Sequence, residues 1–188
     1  MARYQAGLRT ETRIIDATRQ LLGELGLEGT TLKAICDRAG VRAGSFYNLF
    51  ATKEEAVLRV VGESMRAVDP DPEGLGTETI ADLVNAYVEF IRTQPLVAKI
   101  YLQIAISGAL SDDAMRARVL RHHQRRITRY RDALRRHDPG LSEDAATEQA
   151  QIILATLNGL AFNWLLDPGF AYAEHMRVGI QYPVSSSQ

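Results

Sequence analysis

The segment from Thr30 to Phe50 constrains the fold of this chain most, because it has the pattern of two short helices joined by a tight turn. Its sequence is TTLKAICDRAGVRAGSFYNLF. Thr30 is a suitable N-cap, since its hydroxyl can accept a backbone N–H bond at the start of the first helix. Gly40 stands where the end of that helix needs a residue that tolerates positive φ. The pattern predicts a compact helical corner.

The apolar residues of this corner predict which side faces a core. Leu32, Ile35 and Ala39 fall on one side of the first helix, and Phe46 and Phe50 lie four residues apart in a second helix over about residues 43–49. The outer side then carries small or hydrogen-bonding groups and no carboxylate, namely Arg42, Ala43, Ser45, Tyr47 and Asn48. Such an exterior suits the major groove of DNA, where base edges need donors and acceptors and phosphates repel acids.

Residues from about Thr10 to Val61 resemble the DNA-binding domain of the TetR family of transcriptional repressors. The resemblance rests on TRIIDA at 12–17, Gly26, TT at 30–31, ICDRAGV at 35–41, SFYNLF at 45–50 and TKEE at 52–55, in order and without a gap. It covers about the first third of the chain. Arg42 stands where the family often has Ser, so a hydroxyl cap is lost and a cation is gained. Leu49 replaces a frequent His and removes one phosphate contact.

The resemblance implies a set of DNA-contacting residues. Thr31 and Lys53, each at a helix N-terminus, are expected to bind phosphates. Tyr47 is expected to reach a phosphate or a thymine methyl group. The other expected contacts lie on or beside the second helix of the corner, where they face base edges or the backbone: Arg42, Ala43, Gly44, Ser45 and Asn48.

The distribution of charge agrees with a DNA-reading module on an acidic body. The 188 residues carry a net charge of −1, but residues 1–53 hold eight basic and five acidic residues, a net charge of +3, and the rest of the chain carries −4. The single cysteine, Cys36, excludes an intramolecular disulfide and a cysteine-based zinc site. No apolar run resembles a signal peptide or is long enough to span a bilayer, so we expect a cytoplasmic protein.

Helical periodicity dominates the chain and predicts an all-α fold of about nine helices. We expect a three-helix DNA-binding domain over residues 1–52, a connecting helix over 53–68 that begins at a Thr52–Glu55 capping box, and a ligand-binding and dimerisation domain over 77–182. The DPDPEGLG run at 69–76 predicts the linker.

A long basic helix is predicted after Ser111. Its nine arginines favour a solvated face, with one or two turned inward as a counter-charge for a ligand: Arg116, Arg118, Arg121, Arg125, Arg126, Arg129, Arg131, Arg135 and Arg136. His122 and His123 are adjacent and point in different directions along a helix, which is poor geometry for a shared metal. We expect neither a metal site nor a cofactor.

The helix predicted over Ala150–Leu166 is apolar almost all round. A helix with two buried faces in a domain of this size indicates a partner subunit, and members of the family dimerise through two late helices. The expected dimer face carries small or neutral residues, namely Ile152, Ala155, Thr156, Gly159 and Asn163. The alternative is a core helix buried inside a monomer.

The resemblance also implies that a small molecule binds among the middle helices. The candidate lining residues are aromatic, apolar or amide-bearing: Tyr87, Phe90, Ile91, Tyr101 and Ile104, closed by Asn158, Phe162 and Trp164. Taken singly, each of these side chains is better explained as an ordinary core residue, and it is the set, with the resemblance, that indicates a pocket.

These patterns predict a ligand-responsive repressor that binds a palindromic operator as a homodimer. A small-molecule effector would move the helix over residues 53–68 and release the DNA. The chain has no Gly-rich phosphate loop and no Gly-x-Ser-x-Gly motif around Ser45, so we expect no catalytic residues and no enzyme. The alternative is a helical-bundle enzyme or interaction protein that does not bind DNA.

Overall fold

The computed structural model describes residues 2–109 and 113–179, and within these ranges the chain forms nine helices and no strand. The predicted all-α architecture is confirmed. The helices are α1 (Ala2–Gly29), α2 (Leu32–Ala39), α3 (Ala43–Tyr47), α4 (Lys53–Arg66), α5 (Ile80–Thr93), α6 (Pro95–Ala109), α7 (Asp113–His137), α8 (Glu143–Leu166) and α9 (Tyr172–Gly179).

The chain divides into two compact units. The N-terminal unit comprises the residues up to 67 together with 94–104, and the C-terminal unit comprises 68–93 and the residues from 105 onward. The grouping differs from the division predicted from the sequence at residues 94–104. These residues group with the N-terminal unit, since Ile100 and Ile104 are buried in its core cluster.

The N-terminal unit is built around the inner faces of α1 to α4. Ile14, Ile35, Phe46 and Val57 are fully buried there, and each such side chain contributes about 1.5–3 kcal/mol by leaving water. Helix α1 is broken at Gly26, whose φ of 66° and ψ of −171° lie outside the helical region. Only glycine adopts this conformation without strain.

Cys36 belongs to the same core, as its apolar neighbours in the sequence indicated. The side chain is buried, and this burial raises the pKa of the thiol. Cys36 therefore acts as a small apolar residue of the core.

The segment between α4 and α5 is an ordered loop. Helix α4 ends at Arg66, two residues before the predicted end. The carboxylate of Asp71 accepts hydrogen bonds from the backbone N–H groups of Leu75 at 2.8 Å and Gly76 at 2.6 Å. These bonds, that to Gly76 above all, lower the pKa of Asp71. The predicted linker is thus held in a defined conformation by hydrogen bonds to the carboxylate of one of its own residues, Asp71.

The C-terminal unit contains α5 and α7 to α9, and α7 packs most extensively against α8. Three arginines of α7 show how this helix binds polar partners inside the unit: Arg126 and Arg129 are half-buried, and Arg136 is exposed. Arg129 binds Asp69 at 2.8 and 3.1 Å and Glu78 at 3.2 Å, and Arg136 donates to the backbone carbonyl of Glu78 at 2.6 Å. The third is Arg126. Asp69 and Glu78 supply acceptors from segments remote in the chain. That one or two of the α7 arginines provide a counter-charge for a ligand stays a prediction.

Candidate nucleic-acid interface

Thr31, and not Thr30, caps the first helix of the corner. The Thr31 hydroxyl accepts a hydrogen bond from the backbone N–H of Ala34 at 3.1 Å. Thr30 is fully buried, and its hydroxyl donates to the carbonyl oxygen of Gly26 at 2.7 Å. The predicted cap was wrong by one residue, because the Thr30 hydroxyl bonds back to the carbonyl four residues earlier, as the hydroxyls of Thr12 and Thr18 do within α1. Thr31 remains exposed at the positive end of α2.

The turn after α2 has the predicted left-handed glycine. Gly40 has φ 63° and ψ 40°, and its backbone N–H donates to the carbonyl oxygen of Asp37. The N–H of Val41 donates to the carbonyl oxygen of Cys36 at 3.0 Å. These bonds satisfy carbonyls at the end of α2 and direct the chain into the next helix.

Helix α3 is shorter than the sequence predicted. It covers Ala43–Tyr47, and Asn48 and Leu49 continue it as hydrogen-bonded turn. Arg42 takes the N-cap position with an extended backbone and makes no side-chain capping bond. The sequence predicted that Arg42 removes a hydroxyl cap, and the structure agrees, since no side chain caps the start of α3.

The outer side of α3 is open to solvent. Arg42, Ala43, Gly44 and Asn48 are exposed and Ser45 is half-buried. Tyr47 is 57% exposed, and its ring meets the buried Phe46 edge-on with centroids 5.9 Å apart. Tyr47 thus contacts the buried Phe46 and still exposes more than half of its surface to solvent. The structure brings these candidates together on one surface without a carboxylate between residues 42 and 48.

Lys53 begins α4, and its ammonium group already has protein partners. Thr52 caps the helix by accepting from the N–H of Glu55 at 3.2 Å, and the Glu55 carboxylate accepts from the N–H of Ala51 at 2.7 Å. The Thr52 half of the predicted capping box is present, and the Glu55 carboxylate reaches back to the N–H of the residue before the cap. The Nζ atom of Lys53 lies 3.4 Å from the carbonyl oxygen of Leu27 and 3.9 Å from the Glu54 carboxylate. A phosphate contact by Lys53 remains a prediction and requires exchange of these weak partners.

The predicted ligand-lining residues are divided between the two units. Tyr101 and Ile104 are buried in the N-terminal unit. The C-terminal unit holds the other six, and Tyr87, Phe90 and Ile91 are buried in it on α5. The Tyr87 and Phe90 rings stack with centroids 6.4 Å apart.

One inward arginine joins two of these candidates. The guanidinium of Arg126 lies 4.9 Å from the centroid of the Tyr87 ring, and its Nη1 donates to Oδ1 of Asn158 at 3.3 Å. Sequence reasoning included Arg126 only as one of nine arginines. One sequence signal sets Arg126 apart: it lies one turn before Tyr130, which is buried, so the two residues share the inward face of α7. That signal does not identify the partners of Arg126.

Two further candidates differ in their surroundings. Trp164 is buried and packs against the Tyr172 ring with centroids 5.7 Å apart. Phe162 is 43% exposed and lies on the outward face of α8 with Gly159 and Asn163. The structure therefore separates Phe162 from the buried side chains of the predicted pocket.

A groove of about 670 Å³ lies between α5, α9 and the loop that precedes α5. Asn85, Glu89, Arg92, Tyr172 and Arg177 contribute to its walls. None of the predicted lining residues borders it. Sequence reasoning missed the groove because Asn85, Glu89 and Arg92 lie on the polar side of the amphipathic helix α5, which periodicity assigns to solvent.

The predicted dimer residues lie on one exposed side of α8. Ile152 is 46% exposed, Ala155, Gly159 and Asn163 are exposed, and Thr156 is half-buried. The opposite side of the helix is buried, with Ala150, Ile153, Leu157 and Ala161 in the core. A Cβ atom placed on Gly159 meets no atom within 4 Å. Of the two faces expected to be buried, only one is covered by the residues that the structure describes.

His122 is the most strongly perturbed histidine of the C-terminal unit. Burial lowers its pKa to about 4, and Arg126 and Arg125 act in the same direction. A histidine held neutral in this way is a possible metal ligand, yet the described residues contain no group of three or more His, Cys, Asp or Glu with metal-binding geometry. Among the described helices, none is both long and apolar enough to cross a membrane.

Comparison with known proteins bears on the N-terminal surface first. Residues 14–60 match the family model described as bacterial regulatory proteins, tetR family. The HTH-type transcriptional regulator UidR of Escherichia coli K12 is 33% identical over 52 residues, which are 28% of this chain and 26% of that protein. The HTH-type transcriptional repressor KstR2 of Rhodococcus jostii is 39% identical over 57 residues, 30% of this chain and 27% of that protein. The matches span about a quarter of these relatives.

Solved structures extend the likeness to the fold of the described chain. The FadR repressor of Thermus thermophilus, a TetR-family protein solved with lauroyl-CoA, has a TM-score of 0.70 at 19% identity, with 95% of each chain covered. The fatty acid degradation regulator FadR of Bacillus halodurans has a TM-score of 0.68 at 20% identity, covering 94% of this chain and 99% of that one. These likenesses confirm the predicted architecture of an N-terminal helix-turn-helix followed by a helical domain.

Proposed function

We propose that this chain, whose residues 14–60 are a TetR-family DNA-binding domain, is a ligand-responsive transcriptional repressor that binds operator DNA as a homodimer. The observation that carries the proposal is the exposed outer side of α3. It combines Arg42, Tyr47 and Asn48 with the helix start at Thr31, and no acid interrupts residues 42–48. A surface of this kind matches base edges and phosphates in a major groove.

The roles of the individual residues follow from their chemistry. Arg42 has the length and the two parallel donors for a guanine O6 and N7. Thr31 and the start of α2 offer a hydroxyl and a positive helix end to one phosphate. The exposed Tyr47 offers a hydroxyl to a second phosphate. Ser45 and Asn48 add short donors and acceptors near the bases.

The test is a gel-shift titration of the full chain on the DNA upstream of its own gene, with a duplex of shuffled sequence as control. We expect a shift at lower protein concentration on the upstream DNA and a steep loss of affinity as salt rises. A protein that binds neither duplex at low salt would contradict the proposal and favour the alternative of a helical-bundle enzyme or interaction protein.

The homodimer is proposed from the uncovered side of α8. Phe162 and Leu166 are 43% and 69% exposed and continue the face of Ile152, while Ala155 and Gly159 leave room for a second helix to approach closely. A dimer through this face would place two copies of α3 on one duplex. Their separation must be about 34 Å to enter successive major grooves, which implies a palindromic operator.

The effector is proposed to bind in the C-terminal unit, with Tyr87, Arg126 and Asn158 among its contacts. Arg126 offers a positive charge beside an aromatic surface, a combination that suits an amphipathic anion. Lauroyl-CoA, the molecule bound to the Thermus thermophilus repressor, is therefore a suitable first probe. The proposed response is a change in the separation of the two α3 helices, without enzymatic turnover.

Linkage gives the effector proposal a quantitative test. A ligand that releases DNA must bind the DNA-incompetent state more tightly, and DNA must then lower ligand affinity by the same factor. Titration of lauroyl-CoA with and without saturating operator measures that factor. Equal affinities in the two titrations would exclude this probe as an inducer.

A repressor that acts on the chromosome is proposed to be cytoplasmic.

A further inference from the structure

The basic side chains of the N-terminal unit fall into two groups according to whether an acid holds them. Arg19 pairs with Asp16 and Glu63, Lys33 with Asp37, Arg38 with Glu24 and Arg59 with Glu11. Among the side chains that the structure describes in this unit, four arginines have neither an ion pair nor a hydrogen bond: Arg9, Arg13, Arg42 and Arg66. One of them, Arg42, already belongs to the proposed DNA-reading surface.

Arg13 adjoins the turn of the helix-turn-helix. Its Nη1 atom lies 3.9 Å from the position that a Cβ atom would take on Gly40, and Gly40 precedes Arg42 by two residues. Arg9 lies one helical turn before Arg13 on the same side of α1, because residues four apart in a helix share a face. The two guanidinium groups therefore form a basic track on α1 that leads to the turn.

The neighbourhood of Arg13 leaves its charge uncompensated. Asp16, one turn further along α1, is paired with Arg19 at 2.8 Å. Two like charges four residues apart on a helix are unfavourable in the free protein. A polyanion bound along α1 would remove this repulsion between Arg9 and Arg13. Without a bound anion, the pair only lowers the stability of the helix.

Arg66 differs from Arg9 and Arg13 in position. It ends α4, thirteen residues after Lys53, which corresponds to about 20 Å along the helix. It is exposed and unpaired in the same unit but lies far from the start of α4. It thus serves as a matched control for any effect of removing one positive charge.

We propose that Arg9 and Arg13 are phosphate-binding residues that extend the helix-turn-helix surface along α1. Each neutralises one backbone phosphate of duplex DNA outside the bases that α3 reads. The inference rests on the proposed DNA-binding function and adds a second contact region to it. It assigns the two residues to affinity and orientation, because phosphate contacts carry no base information.

The experiment measures how the affinity of the full chain for a random 30-base-pair duplex depends on salt, by fluorescence anisotropy. Each phosphate contact contributes about 0.9 to the slope of log affinity against log salt concentration. For each bound protomer we expect Arg13→Ala to reduce the slope by about 0.9, and Arg9→Ala with Arg13→Ala by about 1.8. Arg13→Lys should retain the slope, and Arg66→Ala should leave it at the value of the unaltered protein.

The outcomes separate this inference from the function on which it rests. If the unaltered protein binds the duplex and the double variant keeps its slope, the phosphate contacts are absent and the inference is wrong. Thermal unfolding of Arg13→Ala distinguishes a purely structural role, in which Arg13 stabilises the C-terminal end of α2, since Tm then falls with the slope unchanged. An equal slope change in Arg66→Ala would show a diffuse charge effect and also overturn it. If the unaltered protein binds no duplex at low salt, the proposed function itself fails.

Discussion

The guanidinium of Arg126 lies over the face of the Tyr87 ring, 4.9 Å from its centroid, and joins α7 to α5 within the C-terminal unit. A half-buried cation and an aromatic ring attract each other by about 1–2 kcal/mol when partly shielded from water. The contact also presents a positive charge beside an aromatic surface, where an effector is proposed to bind.

Arg126→Ala should therefore lower the free energy of unfolding by about 1 kcal/mol, since it removes the contact with Tyr87 and the hydrogen bond to Asn158. Urea unfolding followed by circular dichroism measures this change. Arg121→Ala is the matched control, because Arg121 is an exposed arginine on the same helix. Equal stability of the two variants would contradict the stabilising role of the contact.

Arg42→Ala and Tyr47→Ala should weaken operator binding in different ways. If Arg42 binds a guanine, its removal should reduce discrimination at one base pair by about 1–3 kcal/mol. Tyr47→Ala should weaken binding to all sequences alike, because a phosphate contact carries no base information. Affinity measured across operator variants with single base changes separates the two effects. Both side chains are exposed, so the helical circular dichroism should stay unchanged, and a uniform loss with Arg42→Ala would assign that residue to a phosphate.

Gly159→Trp should prevent dimer formation and leave the protomer folded. The Cβ atom of the added side chain meets no atom of its own chain within 4 Å, and at this exposed position the indole should occupy the space that a partner helix needs. Sedimentation should give a monomer or a nonspecific aggregate in place of the dimer. Gly23→Trp on α1 is the control, because its Cβ position is equally open. A dimer that persists in Gly159→Trp would place the interface elsewhere.

The buried His122 should make the protein less stable in mild acid. Its pKa is about 4 in the folded state, compared with 6.5 for the free side chain, so between these values the unfolded chain binds the proton that the folded chain rejects. Stability is therefore full above pH 6.5 and falls as the pH approaches 4, by an amount on the order of 2 kcal/mol after allowance for partial solvent access.

Urea unfolding at pH 7 and pH 4.5 measures the contribution of His122. His122→Gln should remove part of the difference between the two pH values, because glutamine does not titrate. His123→Gln provides the comparison, since the pKa of His123 is lowered by a smaller degree of burial. The same pH dependence in the unaltered protein and in His122→Gln would contradict the assignment.

The helix-turn-helix surface was predictable because its determinants are local. Gly40 occupies the left-handed cap position and Phe46 is fully buried, as the spacing of the apolar residues indicated. Local pattern did not resolve the choice between Thr30 and Thr31 as the cap. That choice depends on how α1 ends, because the buried Thr30 hydroxyl donates to the carbonyl oxygen of Gly26 four residues earlier, which leaves Thr31 to cap α2.

The C-terminal unit was predictable in its helices and less so in its contacts. Periodicity located α5, α7 and α8, and the small-residue side of α8 is exposed. It assigned most of the α7 arginines to solvent and did not identify which ones turn inward, whereas Arg129 binds Asp69, sixty residues earlier in the chain. It also grouped Phe162 with buried aromatic residues, although that side chain is 43% exposed.

The sequence by itself determined the helical content, the position of the helix-turn-helix and its acid-free outer side, since capping, glycine conformation and apolar spacing act over a few residues. Only the tertiary structure decided which charged side chains form ion pairs. It pairs Arg38 with Glu24 and Arg129 with Asp69, and it leaves Arg13 unpaired beside the turn at Gly40. These choices depend on distances between segments remote in the chain, and the energy of a charge depends on the partner that folding brings within a few ångströms.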